Sequence, residues 1–173
     1  MKATTFWKTV VSDKSDFLDR ILTLLDENDL HYCVIGGQAV NAYADPVVSL
    51  DLDIVIAVEQ LVQAEELLRE QFDVQRFPYS LNVDTAGSDL RVQVQTDARY
   101  FDFVERSQVR DVLGMALPVA DIVDVLRGKV WAASDPGRRP SKRLKDYADI
   151  ARILEQRPDL IDLVPGNIRD RLG

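Results

Sequence analysis

Apolar residues at Phe17, Leu18, Ile21, Leu22 and Leu25 recur every three or four positions, which predicts an amphipathic helix over about 13–28, capped by Ser12 or Asp13. The β-branched run 31–35 stops at Gly36-Gly37 and reads as a buried strand feeding a tight turn, with a short helix over 38–44 behind it. From 50 to 58, Asp51 and Asp53 alternate with Leu52 and Ile54 before the chain turns wholly apolar. That pattern predicts a second strand whose two carboxylates share a face. Leu61, Ala64, Leu68 and Phe72 mark a helix over about 59–71. Segments 73–76, 80–84 and 89–96 read as strands, with Gly87 punctuating a hairpin, and 109–117 reads as one more short strand. Past Pro118 the period becomes helical: Val119, Ile122, Val123, Leu126 and Val130, then Leu144, Tyr147, Ala151 and Leu154 after a loop over 134–140. One or two short helices follow over 160–172. Strands interleaved with helices early, and helices late, predict an α/β (α+β) domain. Its core spans 1–118, and a helical C-terminal extension over 119–173 packs on it as a single structural unit.

Composition narrows the class. The chain has 173 residues, 46% apolar and 29% charged, so it suits a folded domain rather than disorder. No apolar stretch approaches the roughly 18 residues of a membrane helix, and the N-terminus lacks a signal-peptide core. The expectation is a soluble cytoplasmic protein without membrane partners. Cys33 is the single cysteine, so it forms no intrachain disulfide and no cysteine metal cluster; it reads as a buried inert thiol without a disulfide-linked partner. A net charge of −8 argues against broad adhesion to nucleic acid. Any polyanion must be met locally, and Arg138, Arg139, Lys142, Arg143 and Lys145 put five basic residues in eight positions.

The chemistry concentrates between Gly36 and Asp53. Transfer of a nucleotidyl group must neutralise a triphosphate and its leaving pyrophosphate, a task for divalent metal. Magnesium takes hard oxygen ligands, often one or two carboxylates completed by phosphate oxygens and water. Asp51 and Asp53, two apart on a strand, meet that need. Gly36-Gly37, between a strand end and a helix start, lets the backbone approach an anion and aims amide N–H groups at it. Carboxylates inside an otherwise apolar run also demand a reason.

In this order of elements the chain resembles the DNA polymerase β-like nucleotidyltransferases, and within them the bacterial abortive-infection (AbiEii-like) toxin branch. These open with an apolar strand, Gly-Gly, a small-residue helix and Arg-x-Thr-x-Asp-x-Asp, matched here by VIGGQAV and by Val47-Val48-Ser49-Leu50-Asp51-Leu52-Asp53. GKVWAASDPGRRPSKRLKDYADIARIL, residues 128–154, looks like the family's later lysine and basic Lys-Asp helix, and the likeness runs from about 17 to 155. It implies a nucleotidyltransferase-type mixed sheet flanked by helices, with Mg2+ (or Mn2+) as cofactor. It also implies transfer from a nucleoside triphosphate to a hydroxyl on RNA or protein, and a small antitoxin or regulatory partner. Asp51 and Asp53 would bind metal and carry the catalysis. Gly36, Gly37 and Ser49 would contact phosphates, and Lys129, Lys142 and Lys145 would reach the triphosphate or an RNA acceptor. Two positions depart from the pattern. The family's arginine falls on Val47, and its third carboxylate aligns with Gln93 or, less well, Gln95. A glutamine offers a metal its carbonyl but cannot serve as a base. Asp89 or Asp97 can substitute after a register shift, because Asp89, Arg91, Gln93, Gln95 and Asp97 share a face.

Other residues have plainer readings. Lys142 with Asp146 and Lys145 with Asp149 form i,i+4 pairs on a solvated helix, and Asp146 orients a neighbouring base. His31 is a strand-end residue, Trp7 and Trp131 are core or interface anchors, and Tyr43 is a candidate to stack on a nucleobase. Against the enzyme stands a second class, a nucleotidyltransferase-fold binding module that has lost turnover and acts as ligand sensor or toxin–antitoxin partner, which Gln93 favours. A Rossmann-like dinucleotide binder fails for want of a third glycine.

Overall fold

The computed structural model describes residues 16–112 and 114–173. Ser12, Asp13 and Trp7, and the first turn predicted from 13, lie outside the described residues. Helix α1 (Phe17–Glu27) buries Phe17, Leu18, Ile21, Leu24 and Leu25 on one stripe. It ends where Asp29 adopts a left-handed φ of 50° and the Leu30 N–H donates to the Leu25 carbonyl at 2.9 Å, a Schellman-type stop. Strand β1 (Tyr32–Ile35) follows, buried at every position, which is why its sequence shows no alternation. Gly36 opens α2 (Gly36–Asn41), two residues earlier than the side-chain pattern suggests, and a loop returns the chain into β2 (Asp51–Ile56).

A 3-10 turn over Val58–Gln60 leads into α3 (Leu61–Gln71), so the helix predicted from 59 begins slightly later. Strands β3 (Asp73–Phe77), β4 (Ser80–Asp84) and β5 (Arg91–Gln95) form a meander, with Gly87 at φ 86° in the β4–β5 connection. The single strand read over 109–117 is instead a hairpin, β6 (Gln108–Val112) and β7 (Met115–Val119). Gly114 takes φ 86° at its turn and donates its N–H to the Asp111 side chain at 2.9 Å. Helices α4 (Ile122–Ser134), α5 (Pro140–Gln156) and α6 (Gly166–Leu172) complete the chain, with a 3-10 turn over Pro158–Leu163 before the last. No described helix is long and apolar enough to cross a membrane.

The seven strands make one mixed sheet in the order β3-β4-β5-β2-β1-β7-β6. β1 runs antiparallel to β2 and parallel to β7, while β2 runs parallel to β5. The central strands β1 and β2 therefore lie in the core, and the Asp-bearing start of β2 abuts the end of β1 at Gly36. Leu25 is fully buried against this core, whereas Val62 on α3 is 72% exposed. Leu25→Ala should cost about 2–5 kcal/mol in denaturant unfolding, against under about 0.5 kcal/mol for Val62→Ala. Equal costs would contradict the placement of α1 on the sheet.

Candidate active site on strands β2 and β5

Strand register assembles the site. On parallel β2 and β5, Asp51 stands opposite Arg91, Asp53 opposite Gln93 and Val55 opposite Gln95. Antiparallel β4 then sets Asn82 opposite Gln93, which makes a row of Asp53, Gln93 and Asn82 across three strands. Gln93, not Gln95, is the residue beside Asp53. The register shift that would bring Asp89 or Asp97 into this position does not occur. Asp89 precedes β5, and Asp97 follows it, accepting from the Arg99 backbone N–H at 3.0 Å and its guanidinium at 2.9 Å. Asp97 thus caps the 3-10 turn Ala98–Phe103, and the Arg99 pairing holds its carboxyl below the usual range.

Gly36 is favoured on two counts: its φ of 69° is one that L side chains rarely adopt, and a Cβ there would press on the Asp53 side chain, so glycine serves both the turn and the close approach of the carboxylate. Burial pushes the Asp53 carboxyl above its ordinary pKa; Lys129 pulls it down and the Asp51 charge adds to the rise. At Asp51 burial also raises the pKa, but Lys142 and Arg91 outweigh it and hold the carboxyl below the usual range. Arg91 Nε lies 2.8 Å from Asp51 Oδ1, and Lys142 Nζ lies 3.3 Å from Oδ2. Neighbouring carboxylates on one strand face therefore have opposite shifts, set by depth and by cations.

Helix α5 brings Lys142 to Asp51, while Arg91 comes from β5, Lys129 from α4 and Arg138 from the loop before α5. The i,i+4 pairs expected along it do not form. Lys142 reaches Asp51 instead, while Asp146 takes Lys129 at 3.2 Å and Arg138 at 2.8 Å. Asp149 takes Lys129 at 2.8 Å and Arg152 at 2.9 Å. Tertiary partners win because Asp146 and Asp149 are buried, where an unpaired charge is costly, and Lys129 on α4 reaches both. Lys129 is itself buried and committed to these carboxylates. Exposed Lys145 lies over Gly37: a Cβ there would meet its Nζ at 3.7 Å. Arg152 extends the network to Asn41 Oδ1 at 2.8 Å, and Asn41 clamps the backbone of Val47, accepting from its N–H and donating to its carbonyl. Ser49, buried, receives the Asp51 N–H on Oγ at 3.2 Å, and Gln38 donates to its carbonyl at 3.3 Å. The loop entering β2 is thus fastened from both sides.

Asp51, Asp53, Gln93, Arg138 and Lys142 line a groove of about 330 Å³. A smaller cavity of about 110 Å³ lies beside Gly36, Asp53, Lys129 and Asp146. The amide oxygen Asn82 Oδ1, also on the groove, is buried without a hydrogen-bond partner among the described residues. No group of three or more His, Cys, Asp or Glu among the described residues could cage a metal. The donors present fit one magnesium of the kind completed by substrate phosphates and water, since Asp51 and Asp53 offer hard anionic oxygens on one face and Gln93 adds a carbonyl.

Arg91 and Arg138 are the residues that sequence reading undervalued. Arg91's face was legible, but its role needs the register against β2; Arg138 needs the α4–α5 packing. Several candidates fall elsewhere. Tyr43 donates its hydroxyl to the Ala120 carbonyl at 2.7 Å and lies under Arg110, so it ties α2 to the end of β7 rather than waiting for a base. His31 precedes β1, at the end away from Gly36, with its backbone N–H on Gln60. Trp131 stacks on Phe103 with ring centres 5.8 Å apart, and burial pushes the Cys33 thiol up to about 12.

No family model matches the chain, and no curated protein matches it in sequence. Solved structures do match in shape. The solution structure of the antibiotic-resistance factor ANT(2'')-Ia has a TM-score of 0.63 at 15% identity, covering 89% of this chain and 90% of that one. Its crystal structure with adenylyl-2''-tobramycin gives 0.60 at 16% identity, covering 91% and 98%. The lincomycin-bound lincosamide antibiotic adenylyltransferase LnuA gives 0.53 at 11% identity, covering 82% and 99%. At such identities the likeness is one of fold, and that fold is the nucleotidyltransferase one.

Two outcomes follow from the electrostatics and from Gly36. Asp53 has a folded-state pKa above its unfolded value, so stability falls as pH rises from the unfolded value near 3.8 through the folded pKa, the penalty being complete above the folded pKa and absent below 3.8. Asp53→Asn should therefore raise Tm at pH 7, at about 2–4 °C per kcal/mol in a chain of this size, and the gain should shrink toward pH 4. An unchanged or lower Tm at pH 7 would contradict the reading. Gly36→Ala should lower Tm at both pH values, because strain and the clash with Asp53 do not titrate away; a neutral Gly36→Ala would refute the geometry.

Proposed function

We propose that this chain is a metal-dependent nucleotidyltransferase that moves a nucleotidyl group from a nucleoside triphosphate to a hydroxyl acceptor. The observation that carries the proposal is the Asp51 and Asp53 pair on β2, set against Gly36 and faced by Lys142 and Lys145 of α5. In the transfer, the acceptor oxygen forms a bond to the α-phosphorus, the bond to the bridging oxygen breaks, and pyrophosphate leaves with that electron pair. The acceptor proton passes to solvent or to a carboxylate of the groove. Asp51 and Asp53 would hold Mg2+ or Mn2+, with the Gln93 carbonyl beside them; the ion would neutralise phosphate charge and hold the reacting groups in line. Gly36 and Gly37 let the backbone approach the phosphates, and Ser49 fixes the turn that presents Asp51. Lys142 and Lys145 meet the leaving phosphates, while Lys129 supports the carboxylates from below.

The acceptor is taken to be RNA or protein, and the setting a cytoplasmic toxin or defence system with a small partner, as the sequence resemblance to the AbiEii-like branch implies. The antibiotics in the ANT(2'')-Ia and LnuA structures add small hydroxylated molecules to the classes worth offering. Gln93 favours a second reading, a fold that binds nucleotide without turning it over, because it stands opposite Asp53 where a base would be useful.

Labelled nucleoside triphosphates, offered with RNA, cell protein, tobramycin and lincomycin, separate the readings. Transfer to one acceptor, abolished by Asp51→Asn with Asp53→Asn, is the expected result. Transfer that survives both substitutions would sink the assignment, and nucleotide binding without transfer would establish the second reading. Lys142→Ala should weaken triphosphate binding at least about tenfold, the ~1.4 kcal/mol worth of one charge-assisted contact. An unchanged affinity would remove Lys142 from the site.

A further inference from the structure

The charges around β2 and β5 do not balance as a pair of divalent ions would require. Two metal ions about 3.5–4 Å apart need carboxylates enough to bridge and neutralise them. Here the sheet face offers two, Asp51 and Asp53, and the positions beside them on β5 are Arg91 and Gln93. Arg91 Nε sits 2.8 Å from Asp51 Oδ1, where it brings a fixed positive charge. Gln93 brings no charge at all. Beyond it, the buried Asn82 Oδ1 has no donor among the described residues. Register places Gln93 between Asn82 and Asp53, so a Gln93 amide turned with its NH2 toward Asn82 would leave its carbonyl for the Asp53 side. Lys142, also on Asp51, differs from Arg91 in coming from a helix on a long flexible stem, so it is free to move to phosphate and release Oδ2.

We infer that Arg91 stands in for a second divalent cation, so that the site binds a single ion, held by Asp53, the freed oxygen of Asp51 and the Gln93 carbonyl. This rests on the nucleotidyltransferase reading and specifies its metal site. A guanidinium balances one charge on Asp51 without accepting or exchanging a ligand. The ion count is therefore set by two neighbouring residues of β5, one cationic where a metal would lie and one neutral where a carboxylate would bridge.

The ion count is measured without turnover. The whole chain is incubated with excess Mn2+ and one equivalent of inorganic tripolyphosphate, and the Mn2+ retained after ultrafiltration is counted and examined by electron paramagnetic resonance. The expected result is one ion per chain with the spectrum of an isolated Mn2+, lost in Asp53→Asn. In the double variant Arg91→Ala with Gln93→Asp, the expectation is two ions per chain with an exchange-coupled spectrum. Circular dichroism of each variant checks that it is folded, and Arg91 and Gln93 are both exposed, so neither change opens the core. Two coupled ions in the unaltered chain would overturn the inference while leaving the nucleotidyltransferase reading intact. A double variant that still holds one ion would also overturn it. Retention of the ion by Asp53→Asn would place it elsewhere and overturn it as well. No ion retained by the unaltered chain would sink the metal-dependent reading itself, and this inference with it.

Discussion

The carboxylate of Asp53 lies against the backbone of Gly36, at the junction of the two central strands, with the buried ammonium of Lys129 among the charges that act on it. A charge so placed is unfavourable by itself, and much of the surrounding structure can be read as the arrangement that keeps it. Glycine at position 36 makes the approach sterically possible. Lys129 supplies positive charge from α4, and Asp146 and Asp149 of α5 hold Lys129 in turn. Arg138 and Arg152 complete those pairs, and Arg152 reaches on to Asn41 and the loop that leads into β2. The groups around this half-buried carboxylate thus link the sheet, both long helices and the entry loop.

This arrangement accounts for the position of the helical C-terminal part. α5 has a weak apolar stripe for its length, and its buried positions include two aspartates. Buried ion pairs contribute little net stability compared with apolar packing, but they are strongly destabilised when one partner is lost. Such a network fixes register more than it adds stability. It sets Lys142 and Lys145 over Asp51 and Gly37 rather than at some other angle, which is the placement that nucleotide chemistry would require.

The elements with strong periodicity were legible before the structure was known. α1, β1, β2 and α4 follow from apolar spacing because each buries a stripe or a run, and the Gly-Gly and Asp-x-Asp elements fall where the pattern changes from strand to helix and back; α5 is a helix as its spacing predicts, but it buries Asp146, Asp149, Ile150 and Ile153 and leaves Leu144 exposed. The β6–β7 hairpin was not legible: exposed Gln108–Arg110 show little alternation, and Gly114 acts through a positive φ that the surrounding letters do not announce. The partners of Asp51 and Asp146 were hidden for a different reason. Arg91 and Arg138 lie 40 positions after Asp51 and 8 before Asp146, and only strand pairing or helix packing brings them to those carboxylates. Local i,i+4 spacing suggested lysine partners for Asp146 and Asp149, and burial overrode it. Gln93 shows both sides: its letter was legible, and its position beside Asp53 needed the β2–β5 register.

The central claim is that Asp53 and its neighbours form a site for a metal-bound triphosphate. Isothermal titration of the chain with each nucleoside triphosphate, with Mg2+ and with excess chelator, tests it most directly. The account predicts binding of at least one triphosphate that requires Mg2+ and disappears in Asp53→Asn. Binding that is indifferent to Mg2+ and to Asp53, or no binding by any of the triphosphates, would contradict it.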